Sequence, residues 1–253
     1  MLLATDTISL ERLSIALIPA IAVLFILYAW AIEIRTSIYA ILRMLLQLLL
    51  IGYLLHFVFQ ADTPLVIVGA ITIMLLAATW ISLRVAANRR KELLGTALLS
   101  IVCGGGITLL VITQGVLQLD PWYLPQKMIP LAGMIFSNCM NSVSLAVERF
   151  DSEVSRGVKH AEACRTSLQA SLIPITNSLF AVGLVSIPGM MTGQVLANVP
   201  PATAARYQIM VMCMMFASSG LSTSLFLKLI SKPKSGPLST SEAPATGVES
   251  PEA

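Results

Sequence analysis

Leu93 to Leu119 reads LLGTALLSIVCGGGITLLVITQGVLQL, 27 residues without one charged side chain. A helix rises about 1.5 Å per residue and the hydrocarbon core of a bilayer is about 30 Å thick, so about 20 such residues cross it. Further charge-free intervals lie on both sides. They hold 20 residues from Leu13 to Ile32, 18 between Arg43 and Asp62, 20 from Pro64 to Leu83, 20 from Met128 to Val147 and 21 from Tyr207 to Leu227. The longest, Thr166 to Ala205, holds 40 residues and carries Pro200 and Pro201 near its end. Paired prolines cannot continue a helix, so this interval reads as one span near 172–196 and an external loop. The expected fold is an all-α, polytopic membrane protein with about seven transmembrane helices.

Composition agrees. Hydrophobic residues make up 56% of the chain and charged residues 11%, against roughly 25% charged in an average soluble domain. The net charge is only +3, in short clusters, which excludes a nucleic-acid-binding surface and fits membrane topology signals. With the N-terminus outside, 13 of the 16 Lys and Arg residues fall on the inner side. The positive-inside rule therefore predicts N-out, C-in. Leu13–Ile32 is longer than the apolar region of a secretory signal and has no small-residue cleavage site, so it reads as the first span. Cys103, Cys139, Cys164 and Cys213 have no CxxC spacing, which points to neither a disulfide framework nor a zinc site.

Residues 1–230 read as one transmembrane domain that includes a mixed-charge cytoplasmic segment, 148–169 (ERFDSEVSRGVKHAEACRTSLQ). Residues 231–253 are rich in Pro, Ser, Thr and Glu and are expected to be a disordered cytoplasmic tail. Within 148–169, Val158, Ala161, Arg165 and Leu168 fall on one helix face. Such a helix docks a cytosolic partner or lies among lipid headgroups.

Two spans carry polar or flexible positions. In the fifth, Pro130, Met134, Asn138, Asn141 and Leu145 form one stripe. A carboxamide facing lipid is costly, so these amides face a neighbouring helix or a solute path, interhelical hydrogen bonding being the commoner use. The sixth contains Asn177 and Ser178, then Ile187–Gly193 (IPGMMTG). Pro188 removes a helical hydrogen bond and Gly189 loosens the backbone, which predicts a break inside the membrane. Broken backbone at that depth is a Pro kink packed on neighbours or the wall of a water-filled path. Gly104–Gly106 serve close packing or bending of the fourth span. Methionine is frequent, at Met190, Met191, Met210, Met212, Met214 and Met215 among others. Thioethers suit soft ions such as Cu(I), although Met more often fills cores. No GxxxxGK[ST], HExxH or GxSxG occurs, and no Asp or Glu lies within the expected spans. ATP hydrolysis through a P-loop is thereby excluded, and ion-coupled carriage disfavoured.

Several runs resemble the FetB-type iron-export and plant aluminium-tolerance family of ABC transporter permeases. They are Pro130-Leu-Ala-Gly-Met134-Ile-Phe-Ser-Asn138-Cys-Met140, Arg165–Pro174, Gly183-Leu-Val-Ser-Ile-Pro-Gly-Met-Met-Thr-Gly193, Tyr207-Gln-Ile209 and Leu221-Ser-Thr223. Arg43-x-x-x-Gln47 and Ile51-Gly-Tyr53 extend the likeness toward the N-terminus. The resemblance implies a permease that dimerises in the cell's inner (plasma) membrane and pairs with a separate ATPase subunit. That subunit binds the ATP, and this chain itself needs no cofactor. It further implies export of a metal ion such as iron, or of a related small solute. Met134, Asn138, Asn141, Asn177, Ser178, Pro188, Gly189, Met190 and Met191 are the expected transport pathway. Gly157, Lys159, Glu162, Arg165 and Ser167 are the expected coupling element. Fewer residues separate Gly157 from Arg165 than in the family pattern. The rival readings are a stand-alone channel or carrier and a non-transporting scaffold in metal tolerance. No metal-ligand set is assigned.

Overall fold

The structure, a computed structural model, describes residues 9–59 and 63–231. The expected tail beyond Ser231 lies outside them. All regular structure among the described residues is helical apart from one isolated bridge, Val182 to Ser186. Backbone contacts divide the chain into two units, Met1–Thr63 and Pro64–Ala253.

In the first unit, α1 (Leu10–Ile15) leads almost directly into α2 (Leu17–Ala29), and α3 (Arg35–Phe59) follows. The Ser9 hydroxyl accepts from the Arg12 amide at 3.4 Å and caps α1. Nothing in α2 is buried, nor is any described residue of α3. Arg43 and Gln47 are both exposed, one turn apart on α3. Helices so apolar and so uncovered need lipid or protein around them.

In the second unit, α4 (Pro64–Ser82) is followed by a 3-10 turn (Arg84–Arg89) and α5 (Arg90–Ile101). A π-turn (Val102–Gly106), α6 (Ile107–Leu110) and a second π-turn (Val111–Val116) continue the same helical run. Then come α7 (Pro125–Ser155), α8 (His160–Ala181), α9 (Gly189–Leu196) and α10 (Pro201–Ile230). The core lies around α7, which packs on α4, α8 and α10. Leu131, Ile135, Cys139, Val143, Ala146 and Val147 of α7 are fully or almost fully buried. The glycines of the first π-turn serve the first of the two expected uses, close packing. Their segment departs from α geometry, and a Cβ placed on Gly104 would sit 2.7 Å from the Ser222 Cα of α10. Only glycine permits so close a backbone approach.

Among the described residues, six helical segments are long and apolar enough to cross a membrane: Arg12–Ala29, Arg35–Leu54, Pro64–Ser82, Arg84–Val116, Pro125–Ser155 and Pro201–Ile230. The chain is thus a multi-pass, all-α membrane protein. The remaining expected span, near 172–196, is not one helix. α8 stops at Ala181, and Gly183, at φ +84°, turns the chain five residues before the helix-breaking Pro188. Pro188 instead precedes the first turn of α9 and Gly189 opens it. From Thr166, the first residue after the last charge of α8, to Ala181 is about 24 Å of helix. That is shorter than a bilayer core, so the charge-free part of α8 is too short to cross one by itself.

The expected cytoplasmic segment also differs in form. Residues 148–155 are the last turns of α7, and only Arg156–Lys159 separate it from α8. Charged residues do not end a helix, and no breaker occurs before Gly157, whose φ is +80°. Arg149 pairs with Glu153 one turn on along α7.

Cationic residues gather at one end of this unit. Arg89 donates to Asp151 of α7 at 2.7 Å, Arg90 stacks 3.9 Å from the Trp80 ring centroid, and the Cys164 thiol reaches the Leu227 carbonyl at 3.8 Å. The 84–91 turn, the α7–α8 turn and the end of α10 therefore share a side, while Lys127 and Arg206 lie near the opposite helix ends. Both members of the Arg89–Asp151 pair are more than one-third exposed. Arg89→Ala should therefore lower stability by less than about 1 kcal/mol, read as thermal unfolding of detergent-solubilised protein.

Candidate functional site

Three helices converge on a groove. Asn138 of α7 donates from Nδ2 to the Met215 carbonyl and to Ser219 Oγ of α10, both at 2.6 Å. One turn of small residues on α10, Ser218, Ser219 and Ser222, is completely buried and lets α7 approach this closely. Asn138 thus does what intramembrane amides commonly do. With both N–H donors engaged, it has only its carbonyl oxygen left to offer a solute.

A string of cavities runs beside this contact. The smallest, about 100 Å³, lies between α7 and α8 and is lined by Asn138, Asn141, Ser142, Ser171, Ser178 and Met215 among others. The next, about 300 Å³, shares Ser178 and Met215 with it and adds Met134, Pro188, Gly189, Met190, Gln208 and Met212. A third, about 450 Å³, shares Pro188, Gln208 and Met212 with the second and is walled by Ile187, Met191, Ile209 and Cys213. None of the lining residues is charged.

Eight of the nine expected pathway residues line this string: Met134, Asn138, Asn141, Ser178, Pro188, Gly189, Met190 and Met191. Asn177 does not. It is exposed on the other side of α8, because one residue on a helix turns the side chain by about 100°. Of the methionines, Met212 and Met215 line cavities, whereas Met214 is 1% exposed and packs as core.

The residue that sequence reading left out is Gln208. It is 5% exposed, lines two of the three cavities, and its Oε1 has no hydrogen-bond partner among the described residues. Its spacing to Met212 and Met215 is i, i+4, i+7, one face of α10, which is the signal that could have found it. Nothing in the sequence says which neighbour that face meets.

The expected coupling residues sit at the cation-rich end. Gly157 forms the turn, Lys159 precedes α8, and Glu162 lies in its first turn. Lys159, Glu162 and Arg165 are exposed, with Ala161 beside them. Ser167 is not available to a partner. It is fully buried, and its hydroxyl donates to the Ala163 carbonyl at 2.6 Å. The inward stripe of α8 is Ala163, Ser167, Ser171 and Ile175, which leaves the face of Ala161 and Arg165 outward. Burial pushes the Cys164 thiol above its ordinary pKa, so it stays protonated and apolar at this end.

The sequence profile of UPF0014, described as an uncharacterised protein family, matches residues 10–233. The chain belongs to the UPF0014 family. Among UPF0014 relatives, a membrane protein of Synechocystis is 38% identical over 196 residues, covering 72% of this chain and 76% of its own. The Escherichia coli protein named "Probable iron export permease protein FetB" is 31% identical over 240 residues, covering 87% and 89%. "Protein ALUMINUM SENSITIVE 3" of Arabidopsis thaliana is 30% identical over 203 residues, covering 74% and 72%. No solved structure matches. The family expected from the motif runs is therefore the family found.

Proposed function

We propose that this UPF0014 chain is the permease subunit of an ABC-type exporter, moving a metal ion or a related small solute. A separate ATPase subunit would drive it, in the inner (plasma) membrane, from a permease homodimer. The observation that carries this reading is the likeness to the FetB permease over nearly nine-tenths of both chains. The arrangement of the bundle supports it. An uncharged groove follows α7, α8 and α10, and the α7–α8 turn at one end presents exposed Lys159, Glu162 and Arg165. A motor that grips this turn moves the inner ends of two helices that wall the groove. Short, stiff connection matters here, since a four-residue turn transmits displacement that a flexible loop would absorb.

The absence of a P-loop motif from the sequence supports the reading that a partner hydrolyses the ATP. N-out, C-in orientation puts the cationic end in the cytosol, where the ATPase can reach it. Co-expression with a candidate ABC ATPase subunit from the same genome should give a co-purifying complex. ATP-dependent uptake of solute into inverted vesicles should require both chains. Arg165→Glu, at an exposed position, should cut the retained ATPase several-fold while the permease itself still extracts and melts normally. If no ABC ATPase is retained by the unaltered chain, the reading fails.

A further inference from the structure

Thioethers are usually core filler, and filler leaves no gap. The middle cavity shows another setting: four of its eleven lining residues are methionines, Met134, Met190, Met212 and Met215, bordering a partly open groove of about 300 Å³. They come from three elements, α7, α9 and α10, so helix periodicity alone did not collect them. A second observation points the same way. The Gln208 carbonyl oxygen, on a side chain 5% exposed, borders this space without a hydrogen-bond partner. A buried acceptor left unpaired is costly, and it is retained where a ligand completes it.

We propose that this cavity binds a soft monovalent metal cation, Cu(I), with thioethers as the main ligands and Gln208 Oε1 beside them. Two arguments select that class. Thioether sulfur is a soft donor, and carboxylate and water donors suit hard ions. No charged side chain lines any of the three connected cavities, so nothing there offsets a cation's charge. The cost of taking an ion from water grows with the square of its charge, which penalises divalent ions fourfold and trivalent ions ninefold relative to a monovalent one. Methionine stems are long and unbranched, so the sulfurs can close around an ion much smaller than the cavity. The site deepens the transport reading by naming the cargo class, and it rests on that reading only for the ion's onward movement. Binding itself needs no ATPase.

The test uses full-length permease in detergent, its accessible thiols first alkylated with N-ethylmaleimide so that cysteine does not carry the metal. Ag(I) serves as a redox-stable probe, measured by calorimetry and by metal analysis after desalting. One Ag(I) per chain is expected, with binding weakened tenfold or more by Met212→Leu combined with Met215→Leu. Met74→Leu, which changes a methionine that lines none of the three cavities, should bind as the unaltered chain does. Fe(II) under anaerobic conditions and Al(III) should not compete. Absence of stoichiometric Ag(I), or binding that survives the cavity pair, overturns the proposal. Equal competition by Fe(II) or Al(III) also overturns it, yet leaves the exporter reading standing. Ag(I) binding as expected, together with failure of the unaltered chain to retain any ABC ATPase, would sink the exporter reading and leave the site.

Discussion

Gly104→Val is expected to destabilise the protein by about 3 kcal/mol or more, at the upper end of what overpacking costs. Backbone is what the added atoms meet. The Ser222 Cα lies 2.7 Å from the position of a Cβ, and the Ser222 Cβ lies 2.9 Å from it. Main chain of α10 cannot rotate aside as a flexible side-chain tip would. Relief requires moving α10 off the first π-turn, and α10 also carries Ser219, Met215, Met212 and Gln208. The same substitution should therefore disrupt the groove as well as lower stability. Gly106→Val supplies the comparison, since two residues along the same turn nothing stands within 4 Å of a Cβ. It should melt within about 1 kcal/mol of the unaltered chain. Thermal unfolding in detergent, with yield after extraction, distinguishes them. Equal melting of the two variants would mean that the α10 contact is not set by the absent side chain.

That contrast marks how far the sequence could be read. Charge-free intervals located the six continuous spans, because crossing a bilayer is a demand on composition and composition is local. Gly104–Gly106 stood out, yet which of the three glycines meets a backbone depends on where α10 lies. Helix ends were less legible. Glu148–Ser155 looked like a soluble segment because hydropathy records what dislikes lipid, and it does not record where a helix stops. α7 simply runs on into the aqueous side. The break after α8 was expected at Pro188, the stronger chemical breaker, but Gly183 turns the chain first through a positive φ that only the backbone reveals. Asn138 was legible as a polar residue needing a partner. The choice between helix and solute came from Met215 and Ser219, 77 and 81 residues away in the chain.

Gln208→Leu is expected to raise stability and remove function together. Asn138 and Gln208 are both carboxamides on the groove, but they stand in opposite energetic positions. Asn138 has its donors satisfied by α10. Asn138→Leu therefore loses two hydrogen bonds, each worth about 1 kcal/mol net, and should lower the melting temperature. Gln208 Oε1 is buried and unpaired, and an orphaned acceptor of this kind costs roughly 1–3 kcal/mol. Leucine has nearly the same bulk and nothing to desolvate, so the substitution should stabilise the fold by about 1 kcal/mol. A residue that weakens the fold where it stands is a residue held for what it meets. If the groove is the path, the stabilised Gln208→Leu protein should still bind its ATPase and yet lose solute movement into inverted vesicles. A stabilised variant with full transport would show that the unpaired carbonyl is a packing flaw. A destabilised one would show that Gln208 has a structural partner after all, and would shift the search for solute contacts to Met134 and the carbonyl of Asn138.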